Sequence, residues 1–388
     1  MTNEQKNVPE LRFPEFEEEW EKKKLGSIAC FSKGKLGSKK DISQNGIPFI
    51  LYGELYTKYN AIIEKVYSKI AIDKNNLKVA SKNEVLIPSS GETSIDIATA
   101  SCIDINEEVA IGGDINILTP KNVDGRFISL SLNGVNKLEL SKYAQGKTVV
   151  HLYNNDIKKL KLSLPINFEE QQKIGDFFSK LDHQIELEER KLELLEQQKK
   201  GYMQKIFSQE LRFKDENGNN YPEWEIKELM QIAKVKTGRK NVQDNIQDGK
   251  YKFFDRSVEV KYLNTFDFDE TAIIYPGEGS KFLPRYFSGK YSLHQRAYSI
   301  YDININNNYL YYYLSLQNNH FLKYAVGSTV KSLRMSGFDK LKVMVPKNSE
   351  QEKIGSFFKN LDEFIEKQSD KVELLKLRKQ SFLQKMFV

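Results

Sequence analysis

The sequence predicts an α+β protein in which two mixed α/β domains are separated by two long helices that pair as a coiled coil. Three observations lead there: an internal repeat, two heptad stripes of matching length, and short β-branched and aromatic runs between them. At 388 residues the chain exceeds the usual single-domain size, which fits a duplicated organisation.

The repeat comes first, because missing one misassigns the whole fold. Glu10-Leu11-Arg12-Phe13 recurs as Glu210-Leu211-Arg212-Phe213. Trp20, Leu25, Ile28 and Ala29 return with identical spacing as Trp224, Leu229, Ile232 and Ala233. In the same register Gly34-Lys35 matches Gly238-Arg239, and Phe49 to Gly53 faces Phe253 to Ser257. The register then drifts, and Pro88 corresponds to Pro276. Late in each half Tyr143-Ala144-x-Gly146-x-Thr148-Val149 returns as Tyr324-Ala325-x-Gly327-x-Thr329-Val330, and Pro165 answers Pro346. Lys173-Ile174-Gly175-x-Phe177-Phe178 becomes Lys353-Ile354-Gly355-x-Phe357-Phe358. The match runs on to Gln204-Lys205-x-Phe207 and Gln384-Lys385-x-Phe387.

Each copy closes on a heptad stripe. The first runs Ile174, Phe178, Leu181, Ile185, Leu192, Leu195, Tyr202 and Ile206, interrupted only by Glu188 and Lys199. The second runs Ile354, Phe358, Leu361, Ile365, Val372, Leu375, Phe382 and Met386, interrupted at the same places by Gln368 and Lys379. Alternating steps of four and three residues keep a narrow apolar seam facing one partner. Leaving a large apolar side chain in water costs about 1.5–3 kcal/mol. The only stripe of matching length is the other copy, so the two helices should pair. Two separate core-facing helices, or pairing between two chains, are the competing arrangements.

Short apolar runs at Ile47 to Tyr52, Glu84 to Ile87, Ala110 to Leu118, Tyr251 to Phe254, Thr271 to Tyr275 and Ala297 to Ile300 read as strands. A helix is expected from Phe127 to Tyr143, with a counterpart from Tyr309 to Tyr324. The expected limits are a first domain over 1–165, a helix over 166–208, a second domain over 209–346 and a helix over 347–388.

Charge and motifs narrow the function. The net charge is +6, and the two helical stretches Glu169–Ser208 and Ser349–Val388 together carry one more acidic than basic residue. The positive excess therefore lies on the domains, where a polyanion would be met. Two cysteines, Cys30 and Cys102, form no CxxC pair, which suits a reducing cytoplasm. Met1–Glu10 is polar and shows no signal-peptide core, and no run approaches the length of a membrane helix. Gly146-Lys147-Thr148 looks like the end of a phosphate loop, but Ser141 stands where that loop needs glycine, and the second copy has Gly327-Ser328-Thr329. Glu225-Ile226-Lys227 lies in the tryptophan stretch repeated at Trp20 and reads as surface. His151, His183, His294 and His320 show no metal-ligand spacing, so no metal site and no enzyme chemistry is expected.

Glu170-Gln171-Gln172-Lys173-Ile174 and Glu350-Gln351-Glu352-Lys353-Ile354, each after a Gly-x-Thr loop and a proline, resemble the specificity subunit of type I restriction-modification systems. The opening Pro9-Glu10-Leu11-Arg12-Phe13-Pro14-Glu15-Phe16, running on to Trp20, is also similar to that family. The resemblance implies two target-recognition domains, each reading half of a split double-stranded DNA site. It also implies that the helices form an antiparallel pair with pseudo-two-fold symmetry that docks two methyltransferase subunits. S-adenosylmethionine, and the ATP and Mg²⁺ of a restriction-translocase subunit, would then belong to partners. No cofactor is expected in this chain. A helix of about 36 residues spans roughly 54 Å, more than the roughly 34–36 Å of one DNA turn.

Base and phosphate readout needs cations and bidentate donors. The glycine turn after the first strand offers Lys33, Lys35, Lys39 and Lys40, against Lys236, Arg239 and Lys240 in the second copy. The next strand end offers Tyr52 against Arg256. The proline loop offers Ser89, Ser90, Glu92 and Thr93 against Lys281 and Arg285. The Gly-x-Thr loop offers Lys147 and Thr148 against Thr329, Lys331 and Arg334. Arg239, Arg256 and Arg285 lead, because arginine can grip guanine bidentately. A stand-alone bipartite DNA-binding protein and a coiled-coil scaffold without a DNA role are the alternative functions.

Overall fold

Two helices, Phe168–Phe207 and Asn348–Lys385, run through the architecture and are shared between its two parts. The computed structural model describes residues 7–257 and 259–388, so the polar opening Met1–Glu10 begins outside the described residues. The chain divides into a first unit, Met1–Glu189 with Asp370–Val388, and a second unit, Arg190–Ser369. Each unit therefore holds the beginning of one long helix and the end of the other.

Within each unit the two helical segments run antiparallel. In the first, Lys379 pairs with Asp182 at 2.5 Å, Lys376 with Glu189 at 2.6 Å and Lys371 with Glu188 at 2.5 Å. Leu181, Ile185 and Leu375 are buried between them, joined by Phe177 and Phe382. In the second unit Lys199 pairs with Asp362, and the Tyr202 ring meets Phe357 edge-on at 5.3 Å. The lysines that interrupt the heptads thus neutralise an acid on the facing helix. Gln368, the other interruption of its stripe, is itself buried. Leu192, Leu195, Leu361 and Ile365 are half-buried. Tyr202, expected in the seam, is 39% exposed, and Met203 is buried instead. A straight helix drifts against a seven-residue repeat, and here the drift turns Met203, Ile206 and Phe207 into a domain core.

The helix ends finish the cores. In the first unit Ile174, Phe178, Met386 and Phe387 join Trp20, Leu25 and Phe127. In the second, Ile354, Phe358, Ile206 and Phe207 join Trp224, Leu229 and Tyr309. Phe387 lies 5.1 Å from Phe127 and 6.3 Å from Trp20, ring centre to ring centre. Phe207 lies 5.7 Å from Tyr309.

The repeated Glu-Gln-x-Lys-Ile-Gly motif is a clamp. Glu170 takes both Arg12 Nε (2.7 Å) and Nη2 (2.8 Å), and the Trp20 indole donates to it at 3.3 Å. Glu350 does the same for Arg212 (3.1 and 2.7 Å) and Trp224 (3.1 Å). Gln171 accepts from the Asp124 amide and donates to the Pro165 carbonyl; Gln351 accepts from Asn306 and donates to Pro346. Asp124 and Asn306 are the N-caps of the helices Gly125–Asn133 and Asn307–Ser315, so the glutamines tie the long helices to those caps. Glycine follows because a Cβ at Gly175 would sit 2.8 Å from Arg126 Nε, and one at Gly355 would sit 2.7 Å from Asn306 Oδ1.

The first unit carries a five-stranded sheet in the order Ala29–Lys33, Ile115–Pro120, Val85–Pro88, Ser101–Ile103, Ile62–Ile63. A four-stranded sheet runs Ser68–Ile70, Ile42–Ile50, Val109–Ile111, Lys78–Ala80. The second unit has one six-stranded sheet: Lys234–Thr237, Tyr298–Tyr301, Phe268–Tyr275, Arg285–Leu293, Tyr251–Phe254, Val260–Leu263. Three expectations change. The strand expected over Ala110 to Leu118 breaks at Gly112-Gly113 into Val109–Ile111 and Ile115–Pro120, one in each sheet. The helix expected from Phe127 to Tyr143 splits at Gly134, whose missing Cβ would lie 3.0 Å from the Leu383 carbonyl oxygen, and resumes at Lys137–Ser141. Its counterpart splits into Asn307–Ser315 and Asn318–Tyr324, where Asn318 turns its side chain to the Phe282 amide.

Candidate nucleic-acid interface

In both units the proline loop and the Gly-x-Thr loop are knitted into one ribbon. Ser90–Gly91 pairs with Val150–His151, and Glu278–Gly279 pairs with Lys331–Ser332. Reciprocal backbone bonds between Gln145 and His151, and between Val326 and Ser332, close the two tips. The tips need glycine: φ is +127° at Gly146 and +110° at Gly327, and a Cβ would lie 2.1 and 2.3 Å from the carbonyl oxygens of Val149 and Val330. The result exposes Lys147, Thr148 and Thr329, with Arg334 exposed and Lys331 half-buried just beyond the second tip. A strand, not a helix, follows Lys147-Thr148, so the fold does not build a phosphate loop there.

The first unit gathers Lys35, Lys39, Lys40 and Tyr52 around a groove of about 1120 Å³. Tyr56, Lys58, Asp41, Glu92 and Asp114 share its walls, so cations and acceptors are interleaved. Tyr52 begins the helix Tyr52–Thr57 instead of ending a strand, because Glu54 accepts the Leu51 amide and starts a turn there. Lys33 lies beside a recess of about 380 Å³ with Ser90, His151 and Tyr153, its Nζ 3.9 Å from Asp114. The proline loop spends the Ser90 and Thr93 hydroxyls on internal bonds. Ser89 is buried with no partner for its Oγ among the described residues, Ser90 bonds His151 Nδ1 at 3.0 Å, and Thr93 caps Ser94–Ile97. Ser89 is therefore not part of the surface set.

In the second unit the sequence candidates separate. Lys236 is sandwiched 3.8 Å from the Phe268 ring centre and 3.9 Å from that of Tyr301, and pairs with Glu270 at 2.5 Å. That is a packed, neutralised cation. Lys240 sits 3.7 Å from Asp267, whereas Arg239 and Lys281 are exposed. Arg285 is half-buried and donates to the Ser257 carbonyl; burial holds its guanidinium below the usual arginine range. Arg256 shares Glu278 with a residue that sequence reasoning passed over, Arg296. Burial alone would raise Glu278, but hydrogen bonds from Arg296 and Arg256 outweigh it and hold the carboxyl below its ordinary range. Strand register carried a usable signal. Lys33 pairs with Asn116 and Thr237 with Tyr298, so Arg296 occupies the position of Asp114.

Among the described residues no group of three His, Cys, Asp or Glu is placed to hold a metal ion, and no helix is long and apolar enough to cross a membrane.

Residues 17–197 and 221–375 match the type I restriction modification DNA specificity domain. The Escherichia coli type I restriction enzyme EcoDI specificity subunit is 31% identical over 129 residues, covering 33% of this chain and 29% of that protein. The Methanocaldococcus jannaschii type I restriction enzyme MjaVIII specificity subunit is 23% identical over 241 residues, covering 60% of this chain and 53% of that protein. The matches therefore span under a third of one curated relative and about half of the other. The crystal structure of the type I restriction-modification S subunit from M. genitalium superposes with a TM-score of 0.66 at 17% identity, over 98% of this chain and 99% of that one. A structure from work on complex assembly and conformational transition of the type I R-M system gives 0.52 at 12% identity, over 94% and 96%. At these identities the likeness to the solved structures is one of fold, while the domain match covers most of the sequence in two copies. The chain belongs to the type I restriction-modification DNA specificity family.

Proposed function

We propose that this chain is the non-catalytic DNA-recognition subunit of a type I restriction-modification complex, in which each unit reads one half of a bipartite, asymmetric target. The observation that carries the reading is where the two copies agree and where they part. The clamp residues Arg12/Arg212, Trp20/Trp224, Glu170/Glu350 and Gln171/Gln351 repeat, while equivalent loop positions diverge: Tyr52/Arg256, Ser90/Glu278 and Asp114/Arg296. A shared scaffold with different loop chemistry is what two different half-sites require.

Target recognition is assigned to 1–165 and 209–346, and spacing to the helices 166–208 and 347–388. Partner methyltransferase subunits, two in number, would bring S-adenosylmethionine and methylate adenine. A restriction-translocase subunit, where one accompanies them, would bring ATP and Mg²⁺. Exposed apolar side chains on the helices support docking: Leu187, Leu374 and Leu377 in the first unit, Leu194 and Phe364 in the second. The work belongs in the cytoplasm, where host DNA is met.

The test is to co-express the chain with its methyltransferase partners and map methylated adenines across the host genome. Methylation at one bipartite motif that disappears when the chain is deleted supports the reading; methylation unchanged by its deletion sinks it. A stand-alone DNA-binding protein would instead select that motif without partners. A coiled-coil scaffold would show no salt-dependent DNA binding.

A further inference from the structure

In the second unit one carboxylate holds two guanidiniums at the edge of the proposed interface. Arg256 Nη1 donates to Glu278 Oε2 at 2.9 Å, and Arg296 Nη1 donates to Glu278 Oε1 at 2.5 Å. The Glu278 side chain is only 14% exposed, whereas those of Arg256 and Arg296 are 49% and 61% exposed. The carboxylate is thus the more enclosed partner, and the two cations face water. Each arginine commits a single Nη, which leaves the Nε–Nη2 fork without another partner among the described residues. That fork matches the O6/N7 edge of guanine. A guanidinium already held in place loses less freedom on binding than a mobile side chain does.

The repeat gives an internal comparison. By strand register Glu278 and Arg296 occupy the positions of Ser90 and Asp114 in the first unit, and by the sequence repeat Arg256 occupies that of Tyr52. The same corner of the scaffold therefore presents two bidentate cations in one copy and a phenol, a hydroxyl and a carboxylate in the other. Resting on the DNA-recognition reading above, we infer that Arg296 and Arg256 are specificity-determining residues that select guanine in the half-site of the second unit, and that Glu278 is the positioning residue that aims both. The ordered pair is distinct from Lys281 and Lys331, point charges suited to phosphates.

The experiment uses the chain assembled with its methyltransferase subunits and a duplex library randomised in both half-sites. Unmodified chain, Arg296→Ala, Arg256→Ala, Arg296→Lys and Glu278→Gln are compared by methylation of each sequence. The half-site of the second unit is the one altered by exchanging residues 210–345. Expected is a guanine preference there that falls about 5- to 150-fold in both alanine variants, the discrimination a bidentate base contact supplies. Arg296→Lys keeps the charge but does not restore the preference, Glu278→Gln weakens it at the same position, and the other half-site keeps its ranking. The inference is overturned if the ranking is unchanged, if lysine restores it, or if all sequences lose methylation equally while the salt dependence drops. The unmodified complex separates the two levels: no bipartite preference at all would sink the DNA-recognition reading, and this inference with it.

Discussion

Replacing Phe387 with alanine should destabilise the first unit by about 4 kcal/mol, although Phe387 lies just past the end of the helix that follows the second domain in sequence. The magnitude follows from its surroundings. The side chain is 4% exposed and its ring meets Trp20 at 6.3 Å, Phe127 at 5.1 Å and Phe178 at 6.1 Å. Truncating a buried phenylalanine costs about 3–5 kcal/mol through lost transfer energy, lost ring contacts and the cavity left behind. The site cannot collapse easily, because Trp20 is anchored by Glu170. Hydrogen exchange reads the effect unit by unit. Protection in Gly125–Asn133 and Lys161–Leu164 should fall by roughly three powers of ten, since about 1.4 kcal/mol is tenfold, while Asn307–Ser315 keeps its protection. A loss below about 1 kcal/mol, or equal loss in both units, would refute the assignment of the helix end to the first core.

The clamp, the helix interface and the loops make separate predictions. Glu350→Gln should cost about 2–3 kcal/mol in urea unfolding, less than the full penalty for breaking a buried pair because Arg212 remains 23% exposed; a loss under 0.5 kcal/mol would argue against the clamp, on the order of ordinary surface changes. Asp182 is held above the usual aspartate range by burial, only partly offset by Lys379, and its Oδ2 has no partner among the described residues. A raised carboxyl contributes stability that is complete below the unfolded pKa, about 3.9, and is lost as pH rises through the folded value. The stability of the unmodified chain relative to Asp182→Asn should therefore fall with rising pH across that window; a flat difference contradicts it. Its counterpart Asp362 accepts the Tyr312 hydroxyl at 2.7 Å, so Tyr312→Phe should destabilise the second unit by about 1.5–3 kcal/mol in the same unfolding assay, and no change would count against that bond. Lys39→Ala with Lys40→Ala should lower the salt slope of DNA binding by about two without changing sequence ranking, and a changed ranking would move those lysines to base contacts.

The scaffold was legible because it is periodic or repeated. Heptads mark the long helices, and the ordered matches from Trp20 to Phe207 and from Trp224 to Phe387 mark the duplication. The Glu-Gln-x-Lys-Ile-Gly motif was visible as a repetition, but its function was not, since the partners of Glu170 and Glu350 lie far away in sequence at Arg12 and Arg212. Local patterns failed where a tertiary contact overrides them. The apolar period runs through Gly134, yet the backbone breaks there against Leu383. Lys236 looked like a free cation in a glycine turn, but two rings and Glu270 enclose it. Arg296 gave no sign in its own segment, and only strand register places it against Arg256 across Glu278.

The central claim is that each unit reads its own half of one DNA target. Exchanging residues 210–345 for the corresponding segment of another specificity subunit, followed by methylation mapping in the assembled complex, tests it most directly. One half-site should change to that of the donor while the other stays as it was. A change in both half-sites, or in neither, would contradict the account.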